Sequence, residues 1–354
     1  MEKECLFSEK KVNIGPDSGY DNYIMAIESS CDETACAIVK NGRDVIANIV
    51  ASQIKTHEKF GGVIPEIAAR EHLEAINVVI EEAFEQSNLK PENISAFAAT
   101  VGPGLVGCLL VGLNAAKTLA LVHDKPFIGV NHLNAHICAN YIDTDLKPPF
   151  LALLVSGGHT QIIDVESYSN QTILGETIDD AVGEAYDKVA RLIGLPYPGG
   201  PLLDKLAQEG NKNAYELPVS KVGEYDFSFS GLKTSFLYTL RDEIAKNPDF
   251  ISQNINDLCA SLQYTIISIL IEKLSKAVKQ TGINRITIGG GVAANSELRD
   301  TLQQTADKKG WQVFIPERKY TTDNAAMIAI TGAFKYADKD FCPMEAPAYS
   351  RGSL

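Results

Sequence analysis

Paired cysteines are missing from this 354-residue chain. Its seven cysteines, at positions 5, 31, 36, 108, 138, 259 and 342, form no CxxC pair, and their number is odd. A disulfide framework or a cysteine zinc site is therefore not expected, and a reducing cytoplasm fits. No run of about 18 apolar residues occurs, so no membrane span is expected. The start, "MEKECLFSEKKVNIGPDSGYDNY", lacks the apolar core of a secretory signal and contains acids that transit peptides avoid. Residues 1–22 read as a disordered or variable tail. Basic residues are in the minority, 32 Lys and Arg against 45 Asp and Glu, for a net charge of −13. That argues against broad, nonspecific nucleic-acid binding, while leaving room for a local basic patch or a basic partner.

What remains is ordinary globular material, 45% hydrophobic and 22% charged, and longer than one core usually serves. Two β-prone stretches, 24–27 and 35–39, flank the polar turn at 28–34. The arrangement recurs later, with 151–155 and 161–165 around the turn at 156–160. The second turn holds Gly157 and Gly158, whose backbone can take positive φ and approach a ligand closely. A third feature, "RITIGGGVAANSELRDTLQQTADKKG", reads as a buried strand, a triple-glycine turn and a helix starting near Asn295 or Ser296. Such a junction presents free N–H groups that suit a phosphate or nucleotide. Each loop alone is equally well a packing turn. Together and in this order they predict an α/β actin/hexokinase/Hsp70-like (ASKHA) fold, with two duplicated lobes around a central nucleotide cleft. Segments 66–87, 107–123 and 255–281 carry apolar residues at helical spacing. The expected division is a tail at 1–22, an N-terminal lobe at 23–148 completed by a helix near 323–337, a C-terminal lobe at 149–322, and a tail at 338–354.

"NHLNAHICAN" places His132 and His136 four residues apart. On a helix such residues share a face, at a spacing that suits two ligands of one metal. On spacing alone a pair of partly buried, hydrogen-bonded histidines is the somewhat more frequent reading. Zinc proteases with HExxH carry a glutamate after the first histidine; here that position is Leu133, so the protease reading ranks last. A third ligand is available in Asp323 of "TTDNAAMIA", just before an apolar helix, where an aspartate would also serve as N-cap.

With those motifs in place, the chain resembles the universal tRNA threonylcarbamoyladenosine transferase family, in its bacterial and organellar branch. The resemblance rests on "IESSCDETACAIV", "GGVIPEIAAREHLE", "VGPGLVGCLLVGLNAAKTLAL", "GVNHLNAHICAN", "LLVSGGHTQI", "ETIDDAVGEAYDKVARLIGLPYPGGP", "FSFSGLKT", "GGGVAANSELR" and "TTDNAAMIA", which run from about residue 24 to 334. It implies that His132, His136 and Asp323 bind one divalent ion per chain, with ferrous iron or zinc ahead of magnesium. It implies transfer of a threonylcarbamoyl group from threonylcarbamoyl-AMP to N6 of the adenosine 3′ of the anticodon, in tRNAs reading codons that start with A. AMP is released. Ser156, Gly157 and Gly158 would surround the phosphate, with Leu154 and Val155 of the same motif among the substrate-binding residues; Asp187 and Asp204 would bind the ribose, Gly200 would allow close approach of the sugar or base, and Asn295 would contact the adenine side. The first hairpin would help form the acyl end of the site. His159, beside the second glycine turn, could touch phosphate or pack, with packing slightly preferred, and the cysteines Cys31, Cys36, Cys108 and Cys138 read as small core residues. Lys55, Lys59, Lys308, Lys309, Arg318 and Lys319 are candidate tRNA contacts. Implied partners are a related subunit of the same fold (TsaB-like), for which helix 66–87 is the candidate contact, and a small P-loop ATPase (TsaE-like). A small-molecule kinase or carbamoyltransferase, or an Hsp70-like assembly protein, would explain the glycine loops but not the His–His–Asp set.

Overall fold

The structure is a computed structural model that describes residues 21–142, 144–167 and 170–352. Residues 1–20, with Cys5, lie outside the described residues, so the reading of that stretch as a disordered tail is not addressed. Two five-stranded sheets repeat one plan. In the first, β1 (Tyr23–Glu28), β2 (Glu33–Lys40) and β3 (Asp44–Ser52) form an antiparallel meander, and β4 (Ala96–Gly102) and β5 (Phe127–Asn131) add in parallel on the other side of β1. Between β3 and β4 lie α1 (Ile54–Glu58) and α2 (Pro65–Ser87). The helix α3 (Val106–Val122) joins β4 to β5, and α4 (His132–Cys138) follows β5 directly.

The second sheet repeats this order with β6 (Phe150–Val155), β7 (Thr160–Ser167) and β8 (Asn170–Glu176) as its meander. Four helices follow: α5 (Val182–Leu192), α6 (Gly199–Ala207), α7 (Ser230–Ile244) and α8 (Phe250–Thr281). Next come β9 (Arg285–Gly289), α9 (Ser296–Lys309), β10 (Gln312–Phe314) and α10 (Ala325–Ala337). The strand orders β3-β2-β1-β4-β5 and β8-β7-β6-β9-β10 are superimposable. The expected hairpins are present: Tyr23↔Lys40 to Glu28↔Ala35 in one, Phe150↔Val165 to Val155↔Thr160 in the other.

The central strands are apolar on both faces because both faces are covered. In the first sheet, α2 and α3 pack against Met25, Ile27, Cys36 and Ile38, while α10 packs on Ile24, Ala26, Ala37 and Val39. In the second sheet, α5 to α9 share a large core with β6 and β9. Between the sheets lies α4. Its Leu133 and Ile137 enter the cluster on Ala152 and Leu154, and its Ala135 and Cys138 enter the cluster under α10.

Two expectations change in detail. The helix expected at 255–281 begins at Phe250, because Phe250 is buried and packs edge-on to Tyr215, anchoring a first turn whose next exposed residues are polar. That 32-residue helix has the length and apolarity of a membrane span, but 67% of its most apolar window is buried inside the protein, as in a core helix. Cys36, Cys108 and Cys138 are buried as expected, whereas Cys31, in the β1–β2 turn, is only partly buried.

Candidate metal centre and the adjoining cleft

The metal centre is built on a short, well-capped helix. Asn131 at the end of β5 has extended backbone (φ −77°, ψ 127°), and its Oδ1 accepts from the Leu133 and Asn134 amides at 2.8 and 3.1 Å. This is N-capping at the first turn of α4. With Leu133 and Ile137 committed to one sheet and Ala135 and Cys138 to the other, the 3.6-residue period leaves His132 and His136 on a third side. Both rings turn their Nε2 atoms the same way, 3.2 Å apart. Asp323, in the turn before α10, brings its Oδ1 to 3.1 Å from His136 Nε2 and 3.5 Å from His132 Nε2. The three side chains thus offer donor atoms that all lie within 4.8 Å of one another.

Asp323 is not the helix cap that the sequence suggested. That role falls to the next residue, Asn324, whose Oδ1 accepts from the Met327 amide at 3.1 Å. The Asp323 carboxylate is consequently free to face the histidines.

A residue not singled out from the sequence completes the centre. Glu28, fully buried at the end of β1, accepts from the Ser30 amide and the Thr100 hydroxyl, each at 2.6 Å, and lies 3.1 Å from His132 Nδ1. When His132 is neutral, an ionised Glu28 holds its proton on Nδ1, which leaves the Nε2 lone pair facing His136 and Asp323. Such a carboxylate–imidazole pair is the outer support found behind metal-ligating histidines. Burial disfavours charge on Glu28 and Asp323, but His132, with His136 in the case of Asp323, holds both below the usual carboxylate range. Burial likewise disfavours charge on His132, yet Asp323 and Glu28 push it up to about 9. A charged imidazole between two carboxylates occupies the place a cation would take. The His136 Nδ1 is buried and has no hydrogen-bond partner. Two imidazoles and one carboxylate converging on a point, one of them pre-oriented, fit a zinc or ferrous ion with open positions.

The histidine helix leads into the cleft. A side chain at Gly289 would collide with the His136 carbonyl, and one at Gly290 (φ 89°) with the carbonyl of Val155. From there the chain reaches a cavity of about 500 Å³ walled by Gly157, Asp187, Gly200, Asp204 and Asn295, together with Tyr197 and Arg318. Five of the expected nucleotide-side residues therefore meet around one space. Leu154 and Val155 do not: their side chains are fully buried in the sheet core, so at most their backbone adjoins the site. Ser156 and Gly158 lie beside the cavity in the β6–β7 turn, where the Ser156 Oγ accepts from the His159 amide at 3.0 Å. Neither Gly157 nor Gly158 uses positive φ; that conformation falls on Gly290. What the glycine pair supplies instead is room, since a Cβ at either would meet nothing within 4 Å.

Each polar wall residue also has a local duty. Asp187 Oδ1 accepts from the Gly199 and Gly200 amides at the start of α6 (2.9 and 3.3 Å), and burial raises its pKa against those two donors. Asp204 accepts from the Ser296 amide and hydroxyl at 3.0 and 2.9 Å. Asn295 caps α9 through the Leu298 amide and donates to Gln263 Oε1 at 2.8 Å. Arg318, expected on a tRNA surface, instead stands at the cavity. The β1–β2 turn faces the same cleft: burial, with Asp323 and Asp32 nearby, pushes Glu33 up to about 10. The His159 ring is half-buried, and burial lowers its pKa.

Comparison with known proteins identifies relatives along nearly the whole chain. The family model of the tRNA N6-adenosine threonylcarbamoyltransferases matches residues 44–330. The protein of that name from Christiangramia forsetii is 51% identical over 348 residues, covering 97% of this chain and 99% of its own. Among solved structures, a full-length HypF in its phosphate- and nucleotide-bound form aligns with a TM-score of 0.59 at 15% identity, over 93% of this chain and 56% of that one. Component A of the Acidaminococcus fermentans (R)-2-hydroxyglutaryl-CoA dehydratase aligns at 0.52 and 17%, over 90% and 99%. At such identities these two share the fold alone.

Proposed function

The chain belongs to the tRNA N6-adenosine threonylcarbamoyltransferase family, and from that premise we propose how its cleft carries out the transfer. The enzyme moves a threonylcarbamoyl group to N6 of a tRNA adenosine. In our reading the donor is threonylcarbamoyl-AMP and the acceptor is the adenosine 3′ of the anticodon, in tRNAs reading codons that start with A. A C–N bond forms between N6 and the carbamoyl carbon, the bond from that carbon to the phosphate oxygen breaks, AMP leaves with the electron pair, and N6 gives up a proton. The leaving group is already good, so the protein's task is mainly to orient both reactants. The adenylate's nucleoside would occupy the cavity of about 500 Å³ that Asp187, Asp204, Asn295 and Gly200 line, with Asp187 and Asp204 accepting from ribose hydroxyls, Asn295 on the adenine side and Gly200 beside the sugar or base. Gly157 leaves its side of the cavity open for phosphate, and Arg318 adds a cation. His132, His136 and Asp323 would hold one divalent ion, zinc or ferrous iron by donor type, at the acyl end. Such an ion supplies Lewis-acid polarisation of an acyl or phosphate oxygen. Glu28 keeps His132 in the tautomer this requires.

The observation that carries this reading is the convergence of the His132, His136 and Asp323 donor atoms, all within 4.8 Å of one another. The partners we propose are the TsaB-like subunit of the same fold and the TsaE-like ATPase, and the compartment is the cytoplasm. The test is transfer from purified threonylcarbamoyl-AMP to unmodified tRNA, with each partner added in turn. Formation of threonylcarbamoyladenosine by the native protein, and its loss with Asp323→Ala together with the bound ion, is the expected result. Full transfer by a variant that holds no ion would overturn the metal's part.

A further inference from the structure

The segment after α10 is packed, although nothing in its sequence pattern suggests a role. Residues 341–352 run as a strap across the end of the first sheet. The Cys342 amide donates to the Phe127 carbonyl at 2.9 Å, and the Gly129 amide reaches the Cys342 sulfur at 3.3 Å. Lys117 of α3 donates to the Ala346 carbonyl at 2.7 Å. The Tyr349 amide donates to the Val101 carbonyl at 2.9 Å. Tyr349 is seated in a notch that exists only because residue 102 is glycine: a Cβ there would collide with the Tyr349 carbonyl and ring. Its hydroxyl accepts from Asn131 Nδ2 at 3.1 Å.

That last contact matters because of what Asn131 does with its other end. Its Oδ1 caps α4 at Leu133 and Asn134, one residue from His132. An asparagine amide has two ends of nearly equal size, and the cap works only with oxygen towards the helix. An acceptor on the amide's nitrogen side stabilises that orientation. We propose that Tyr349 is a positioning residue for the transfer: the strap, through Asn131, fixes the start of the histidine helix and so the aim of His132 and His136. This rests on the metal-centre reading above for its functional consequence, but not for its structural one. The ring of Tyr349 fills the notch while its hydroxyl acts on the cap, so Tyr349→Phe separates the two.

The test has a metal-free arm and a metal arm. In metal-free full-length protein, amide hydrogen exchange over residues 132–138 should accelerate roughly two- to ten-fold in Tyr349→Phe, the span expected for one net hydrogen bond, while α8 keeps its protection. An intact melting transition shows that the variant folds. In an Asn131→Ser background, which keeps a capping oxygen but no amide nitrogen, Tyr349→Phe should add nothing; that non-additivity identifies the path. With cobalt(II) as probe, Tyr349→Phe should weaken binding by a similar factor and alter the visible ligand-field bands. Unchanged exchange over 132–138, or additive effects of the two substitutions, would overturn the proposal. If the native protein binds no cobalt, the metal reading fails, and the exchange arm still decides whether the strap holds the helix.

Discussion

Glu28 and Asp323 act on His132 from opposite sides of its ring, and together they favour its charged form over burial, which opposes it. Because this pKa is raised to about 9, the sign of its linkage is fixed. The stabilisation from the charged ring is fully present below the ordinary histidine pKa and lost as pH climbs through about 9. Metal binding has the opposite dependence, since the ion must displace the His132 proton. We therefore predict that zinc affinity, measured by chelator competition, rises about tenfold per pH unit between pH 7 and 9 and then levels; affinity independent of pH over that interval would show that His132 is not a ligand. Gly157 carries a second residue-scale prediction. Its missing side chain faces open space, so Gly157→Val should leave the melting temperature nearly unchanged while weakening AMP binding at least tenfold in calorimetry. Equal AMP affinity would place the phosphate elsewhere. The histidine pair was legible because helix periodicity converts a spacing of four into a shared face. Glu28 was not, because it ends an apolar strand 104 positions before His132, and only the assembled sheet brings the two together.

Among the elements, α10 divides its first turn between structure and chemistry. Asn324 caps the helix and Asp323 faces the histidines, so the two substitutions should differ in kind. Asn324→Ala should cost about 1 kcal/mol of unfolding free energy and retain the metal, whereas Asp323→Ala should lose the metal without losing the cap. Denaturant titration beside elemental analysis separates them, and metal loss of equal extent in both would contradict the division. From sequence, "TTDN" offers two adjacent capping side chains, and composition cannot choose between them; the choice depends on which of the two side chains, the Asp323 carboxylate or the Asn324 amide, faces α4 across the chain. The hairpins were readable because central strands with both faces covered are apolar throughout and break sharply at polar turns. The strap at 341–352 was not, because it has no period: its order comes from single hydrogen bonds to Phe127, Val101 and Lys117. Pocket placement was legible only in part. Asp187, Asp204 and Asn295 do stand at the cavity, but Leu154 and Val155 lie inside the strand before it, and a motif does not show where the strand's burial ends.

The molecule as a whole is two copies of one sheet plan with helices α4 and α10 between and behind them, and its charge sets how it can meet a tRNA. The chain carries −13, and several of its exposed cations are already matched: Lys319 with Glu317 at 2.7 Å, Lys276 with Glu272 at 2.6 Å, and Lys246 with Glu243 at 2.7 Å. Arg318 stands at the cavity wall. Affinity for nucleic acid comes chiefly from neutralised phosphates and the counterions they release, and a surface this acidic supplies few such contacts. We therefore predict that the isolated chain binds tRNA no more tightly than nonspecific complexes do, on the order of micromolar or weaker at physiological salt. Adding the proposed subunit and ATPase should increase both the affinity and the slope of log K against log salt, because new cations would be contributed by the partners. The measurement is fluorescence anisotropy of labelled tRNA at several salt concentrations, with and without each partner. Nanomolar binding by the chain alone, with a steep salt slope, would require a basic surface that a net charge of −13 does not lead one to expect, and would remove the argument for partners in tRNA capture.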